Sequence, residues 1–248
     1  MEIIINGVKI NYQVFGEGRP FLILHGWGSD SDRWHKIGQA LSENGFKIIV
    51  PDMPGFGKSQ TPKTPWDFNG YVSWVEEFAK ALNLQNFYLL GHSFGGAMAV
   101  KVAVDAPQKI NRLFLVACAC MRKRTALKKV LAKVSKVARI FSFLPYYPSA
   151  RKAFYKFIIP KSDYIYTKGI MKETYLRAVS EDLSCHLSFI KVPTVIIWGD
   201  KDEITPVKNA HFINKKISNS KLIIIPEVGH DLNQKAPEIL TQNILENL

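Results

Sequence analysis

Two apolar rhythms alternate along the chain. Short runs rich in branched residues recur at Glu2–Ile5, Val8–Val14, Phe21–Leu24, Lys47–Val50, Phe87–Leu90, Leu113–Ala117, Thr194–Trp198 and Lys221–Ile225. Several are apolar without alternation, the pattern of strands covered on both faces in a parallel sheet. Between them, Asp32–Glu43, Tyr71–Leu82, Gly95–Asp105, Val207–Lys216 and Pro237–Leu248 repeat at helical spacing. Strand–helix alternation predicts an α/β domain. Asn6-Gly7 splits the first two runs and suits the tight turn of a hairpin. There is no internal repeat and no low-complexity stretch.

The rhythm breaks from about Ala119 to Ile190. No strong parallel-strand candidate lies there. Ala126–Phe143 places Leu127, Val130, Leu131, Val134, Ala138 and Phe141 on one helical face and lysines on the other. Pro145, Pro148 and Pro160 then interrupt shorter helical pieces. The sheet resumes at Val192-Pro193-Thr194. The expected organisation is a core of residues 1–118 and 191–248 with a helical, strongly basic cap at 119–190.

Composition adds a charge asymmetry. The chain of 248 residues is 47% hydrophobic and carries a net charge of +12. Residues 121–172 hold 14 Lys and Arg against one acid, Asp163, so the whole excess lies in this segment. A solvated lysine-rich surface is the first expectation. Attraction of anionic substrates and contact with an anionic membrane surface are the alternatives. No recognised nucleic-acid module is present, which argues against a nucleic-acid partner. The N-terminus lacks a basic start and a long apolar stretch, so it reads as a strand, and no apolar run approaches the roughly 20 residues of a membrane span. Cys118, Cys120 and Cys185 cannot make a disulfide framework and fit a reducing compartment. The expected location is cytoplasmic.

Four loops carry candidate chemistry, each just after a predicted strand, where α/β sheets place their sites. Gly91-His92-Ser93-Phe94-Gly95 links a strand to a helix rich in small residues. A G-x-S-x-G stretch in this context exposes a serine hydroxyl on a strained turn, and its glycines remove side chains that would clash across it. The helix start also aims amides at developing negative charge. His25-Gly26-Trp27-Gly28 can aim a second amide, so the N–H groups of Trp27 and Phe94 would form an oxyanion hole. Gly199-Asp200-Lys201-Asp202 offers two acids, one of which could orient a histidine. Glu227-Val228-Gly229-His230 offers that histidine. A serine needs a base, and the base needs a group to fix its tautomer. His25, His35, His92, His186 and His211 are read as structural.

HGWG at 25–28, PDMPGFGKS at 51–59, GHSFGG at 91–96, WGDKDEITP at 198–206 and EVGH at 227–230 together resemble the α/β-hydrolase superfamily, in its small esterase-like branch. The matching pieces span nearly the whole chain outside the cap. The resemblance implies a mostly parallel eight-stranded sheet flanked by helices, with an inserted helical cap. It implies Ser93 as nucleophile, His230 as general base and then acid, Trp27 and Phe94 as oxyanion donors, and Asp202 rather than Asp200 as the triad acid. Asp52 is expected to shape its loop. The implied activity is hydrolysis of carboxylic esters or thioesters of a small-molecule acyl substrate, with no cofactor or metal, by a monomer or homodimer. Two alternatives use the same triad: a small-ligand sensor and a carbon–carbon bond hydrolase of dicarbonyl compounds. Serine at 93 argues against a dehalogenase, which uses aspartate there.

Overall fold

The computed structural model describes residues 1–121 and 167–248. Its strands are β1 (Glu2–Ile5), β2 (Val8–Phe15), β3 (Arg19–Leu24), β4 (Phe46–Pro51), β5 (Phe87–His92), β6 (Ile110–Val116), β7 (Thr194–Gly199) and β8 (Ser220–Ile225). They form one sheet in the order β1-β2-β4-β3-β5-β6-β7-β8. Asn6 and Gly7 have φ of 50° and 75°, the left-handed pair a two-residue hairpin turn needs, and Ile5 pairs with Val8 across it. β2 runs antiparallel to β1 and β4; every other neighbour is parallel. Phe21–Leu24, Leu113–Val116 and Ile196–Trp198 are completely buried, as their unalternating pattern predicts.

The described helices are α1 (His35–Ser42), α2 (Phe68–Ala81), α3 (Phe94–Asp105), α4 (Gly169–Ser180), α5 (Lys208–Lys216), α6 (Leu232–Lys235) and α7 (Pro237–Leu245). α2 starts three residues before the predicted Tyr71, because the Asp67 carboxylate accepts the Gly70 N–H at 2.9 Å and caps an earlier turn. The predicted helix from Asp32 opens instead as a tight 3₁₀ turn, Ser31–Trp34, where Asp30 accepts the Arg33 N–H at 3.2 Å. α7 begins at Pro237 as expected but ends at Leu245, short of the predicted Leu248. α3 has no polar stripe: from Phe94 to Ala103 only Lys101 is not buried. A Cβ on Gly91 would lie 2.4 Å from the Gly95 carbonyl oxygen, and one on Gly95 would lie 2.2 Å from that of Leu24. Only glycine permits this packing of helix start against strand ends.

Of the predicted cap, residues 119–121 and 167–190 are described, and they contain α4 and a 3₁₀ turn at Ser184–Phe189 but no strand. The predicted helix Ala126–Phe143 and the cap aromatics up to Tyr166 lie outside the described residues. α4 rests on the loops above the sheet. Its Thr174 hydroxyl accepts the Trp66 N–H at 3.1 Å, and its Tyr175 ring meets Trp27 edge-on at 5.0 Å. Cys118 and Cys120 are buried free thiols, and Cys185 is exposed. No described helix is long and apolar enough to cross a membrane.

Candidate active site

Ser93 sits between β5 and α3 with φ 52° and ψ −111°, a conformation that costs a non-glycine residue about 1–3 kcal/mol. Neighbouring strands hold it there. Its N–H donates to the Val116 carbonyl at 2.9 Å, and its own carbonyl accepts the N–H of Ala119 at 2.9 Å and of Ala97 at 3.2 Å. The side chain is thereby directed out of the turn.

His230 and Asp202 arrive on the loops after β8 and β7. These loops touch backbone to backbone: the Lys201 N–H donates to the Val228 carbonyl at 3.0 Å, and a Cβ on Gly199 would lie 2.1 Å from that same oxygen. His230 Nε2 lies 2.9 Å from Ser93 Oγ, and its Nδ1 lies 2.8 Å from Asp202 Oδ2. The Asp202 side chain is fully buried. Its Oδ1 accepts the N–H groups of Ile204 and Thr205, each at 2.8 Å, and its Oδ2 accepts the Thr205 hydroxyl at 2.7 Å. Burial alone would raise the Asp202 pKa. The hydrogen bond and charge of His230, with the Thr205 donors, outweigh it and hold the carboxyl below its ordinary value. An ionised Asp202 can only accept, so Nδ1 carries the proton and Nε2 turns its lone pair to the Ser93 hydroxyl. Such a chain can take a proton from serine as the hydroxyl attacks.

Asp200, the competing acid, makes no hydrogen bond to His230 among the described residues. Its N–H donates to the Ile225 carbonyl at 3.1 Å, bracing β8. Asp52 organises its own loop: its carboxylate accepts the N–H groups of Ser31 and Lys58 and the Asn11 side-chain amide within 2.8 Å. Thr205 is the neighbour that pattern reading passed over. The Thr-Pro step after Asp202 is its only local signal.

Trp27 follows β3, and Phe94 is the first residue of α3, so its N–H has no partner within the helix. Among the described residues neither N–H donates to a backbone carbonyl. The Trp27 ring is wedged edge-on against Phe56 and Phe94 at 4.8 and 5.1 Å. A cleft of about 180 Å³ opens over Ser93 and His230, bordered by Trp27, Arg33, Ile204 and Asn233. No cluster of three or more His, Cys, Asp or Glu suited to a metal occurs among the described residues.

Two further histidines support the site while remaining neutral. His92 Nε2–H donates to the His230 carbonyl at 3.0 Å. Burial, then the charge of His230, lowers the His92 pKa to about 3 from the ordinary 6.5. His25 Nδ1–H donates to the Gly26 carbonyl at 2.7 Å, and its Nε2 accepts the Met53 N–H at 2.9 Å; burial lowers its pKa as well. Between 6.5 and about 3 the unfolded chain takes up a proton at position 92 while the folded chain does not, and at position 25 the folded chain also protonates less readily than the unfolded one. Stability is therefore complete above 6.5 and falls as the pH drops below it, by up to about 1.4 kcal/mol per unit for His92, with His25 adding in the same direction. Asp52 and Asp202, both depressed, lose their contribution only below the ordinary carboxylate value of 3.8. Urea unfolding between pH 7 and pH 5 should show this loss, and His92→Asn should flatten the slope by about one histidine's share. An unchanged slope in that variant would refute a neutral, buried His92.

The sequence model for the alpha/beta hydrolase fold matches residues 19–144, just over half the chain. Lipase 1 of Psychrobacter immobilis is 28% identical over 248 aligned residues, covering 91% of this chain and 76% of the lipase. The AB hydrolase superfamily protein YisY of Bacillus subtilis is 29% identical, covering 90% of this chain and 89% of its own. The esterase structure from Exiguobacterium antarcticum superposes with a TM-score of 0.77 over 98% of this chain and 96% of its own, at 24% identity. The topology that brings Ser93 and His230 together is thus shared with known hydrolases, and the chain belongs to the α/β-hydrolase fold family.

Proposed function

We propose that the protein is a serine hydrolase cleaving carboxylic esters or thioesters of small to medium acyl compounds. Family membership and the lipase and esterase relatives support a hydrolase. The observation that carries the finer reading is the pair of contacts made by His230, 2.9 Å to Ser93 Oγ and 2.8 Å to Asp202 Oδ2.

In this mechanism His230 Nε2 takes the Ser93 proton as Oγ attacks the acyl carbonyl. The oxyanion is held by the N–H groups of Trp27 and Phe94, each donor being worth about 10² to 10³ in rate. His230 then protonates the departing alcohol or thiol, leaving an acyl-enzyme. Water, deprotonated by the same nitrogen, releases the acid. Esters and thioesters suit the site better than amides because their leaving groups need less protonation. Residues 119–190 act as the cap that selects the acyl group. No cofactor or metal takes part, and the protein works in the cytoplasm as a monomer or homodimer.

Release of p-nitrophenol from a series of acetyl to decanoyl esters tests the proposal. Steady turnover with a chain-length optimum is the expected result, and the optimum sizes the pocket. One equivalent of product followed by silence would replace the hydrolase reading with that of a ligand sensor. No release at all, with dicarbonyl substrates cleaved instead, would replace it with carbon–carbon hydrolysis.

A further inference from the structure

We infer that Thr205 is a positioning residue of this site, its hydroxyl fixing Asp202 and the Nδ1–H of His230 as a unit. The inference rests on the serine hydrolase reading above. Thr205 Oγ1 lies 2.7 Å from Asp202 Oδ2 and 3.2 Å from His230 Nδ1, while Nδ1 and Oδ2 are 2.8 Å apart. The three atoms form a near-equilateral triangle, so the hydroxyl touches both partners of the acid–base pair. A third contact ties the triangle to the serine. Oγ1 is 3.2 Å from the Ala117 carbonyl, at the end of β6, and the N–H of Ala119 two residues on donates to Ser93.

The hydroxyl has one proton and two lone pairs. It donates to Asp202 Oδ2 or to the Ala117 carbonyl, and it accepts a share of the His230 Nδ1–H. The hydroxyl lies beside Oδ2, so it holds the carboxylate in place and offers the Nδ1–H a second acceptor if the imidazole turns from Oδ2 toward it. When His230 becomes charged by taking the Ser93 proton, the same oxygen faces the cation.

Thr205 is itself held in place. It is buried. Its N–H bonds Asp202 Oδ1 at 2.8 Å, and its carbonyl accepts Trp198 Nε1–H at 2.7 Å. Pro206 follows it and restricts its backbone, and a β-branched side chain is stiff at χ1. Thr205 does not border the cleft over Ser93, so it acts on the histidine and acid rather than on substrate.

The test uses a fluorophosphonate probe, which phosphonylates an activated serine: the Oγ–P bond forms as the P–F bond breaks, fluoride leaves, and the Ser93 proton passes to His230. Its binding constant and its bond-forming rate are measured separately for the whole protein and for Thr205→Val and Thr205→Ser. Thr205→Val should slow bond formation about 10- to 100-fold, the kinetic equivalent of one hydrogen bond to a charged group, with probe binding unchanged. Thr205→Ser should recover most of the rate. Wild-type rates in Thr205→Val, or equal slowing in Val and Ser, would overturn the inference. If Thr205→Val does not fold, Thr205→Ala takes its place under the same criteria. Ser93→Ala is labelled in parallel: if it reacts as well as wild type, the hydrolase reading fails by itself, whatever the Thr205 variants do.

Discussion

Ser93→Ala is expected to lower kcat for p-nitrophenyl esters by about 10⁴- to 10⁶-fold and to leave the fold unchanged. The loss is large because, in the proposed mechanism, the removed oxygen is the atom that forms the acyl bond. The residual rate is what an oxyanion hole and substrate binding supply without a nucleophile. The fold should survive for local reasons. Ser93 Oγ contacts His230 Nε2 at 2.9 Å, whereas the three bonds that hold the turn use main-chain atoms that alanine keeps. Alanine also meets the same cost at φ 52° as serine does. The melting temperature should therefore stay within a few degrees. Activity persisting in the folded variant would show that ester cleavage takes place elsewhere in the molecule.

Asp202→Asn should cost about 10⁴-fold in kcat, for a reason the donors around it dictate. Oδ1 faces two main-chain N–H groups, those of Ile204 and Thr205, both at 2.8 Å. An asparagine must turn its carbonyl oxygen to those donors, which puts its NH₂ group at the Oδ2 position. An NH₂ group donates, so the neighbouring His230 Nδ1 must become the acceptor. The imidazole proton then moves to Nε2, which faces Ser93 at 2.9 Å and can no longer take its proton. The size and shape of the side chain are unchanged while the tautomer is inverted. Asp200→Asn is the control and should change kcat only a few-fold. A large loss in Asp200→Asn with a mild one in Asp202→Asn would reverse the assignment of the acid.

The sheet was largely legible in the chain. All eight strands begin within three residues of the predicted runs, and the central ones, β3 to β7, are the plainest because a strand covered on both faces is apolar along most of its length and so announces itself locally. Helix starts were less legible. α2 begins at Phe68 because Asp67 caps it, a polar contribution that apolar spacing does not report. The charge excess of residues 121–172 was equally plain in the sequence, but most of that segment lies outside the described residues.

The site divides along the same line. The serine turn could be read within six residues from its G-x-S-x-G pattern; Gly91 answers a steric demand from its sequence neighbours Gly95 and Gly96, whereas Gly95 and Gly96 answer demands from Leu24 and Cys118 that only the fold brings near. The residues alone left Asp200 and Asp202 open, and the resemblance favoured Asp202. The structure brings Asp202, not Asp200, to 2.8 Å from His230. That choice depends on how the β7 and β8 loops pack, with Gly199 pressed on the Val228 carbonyl, and no local pattern encodes it. Ser93 and His230 are 137 positions apart, and the bracing roles of His92, His25 and Thr205 arise from contacts between loops of different strands. By itself the sequence determined the strands, the turn and the order of the chemical groups, because each follows from sterics and periodicity over a few residues. Tertiary structure decided which polar atoms meet, because hydrogen bonds of about 3 Å between distant loops depend on strand order and register.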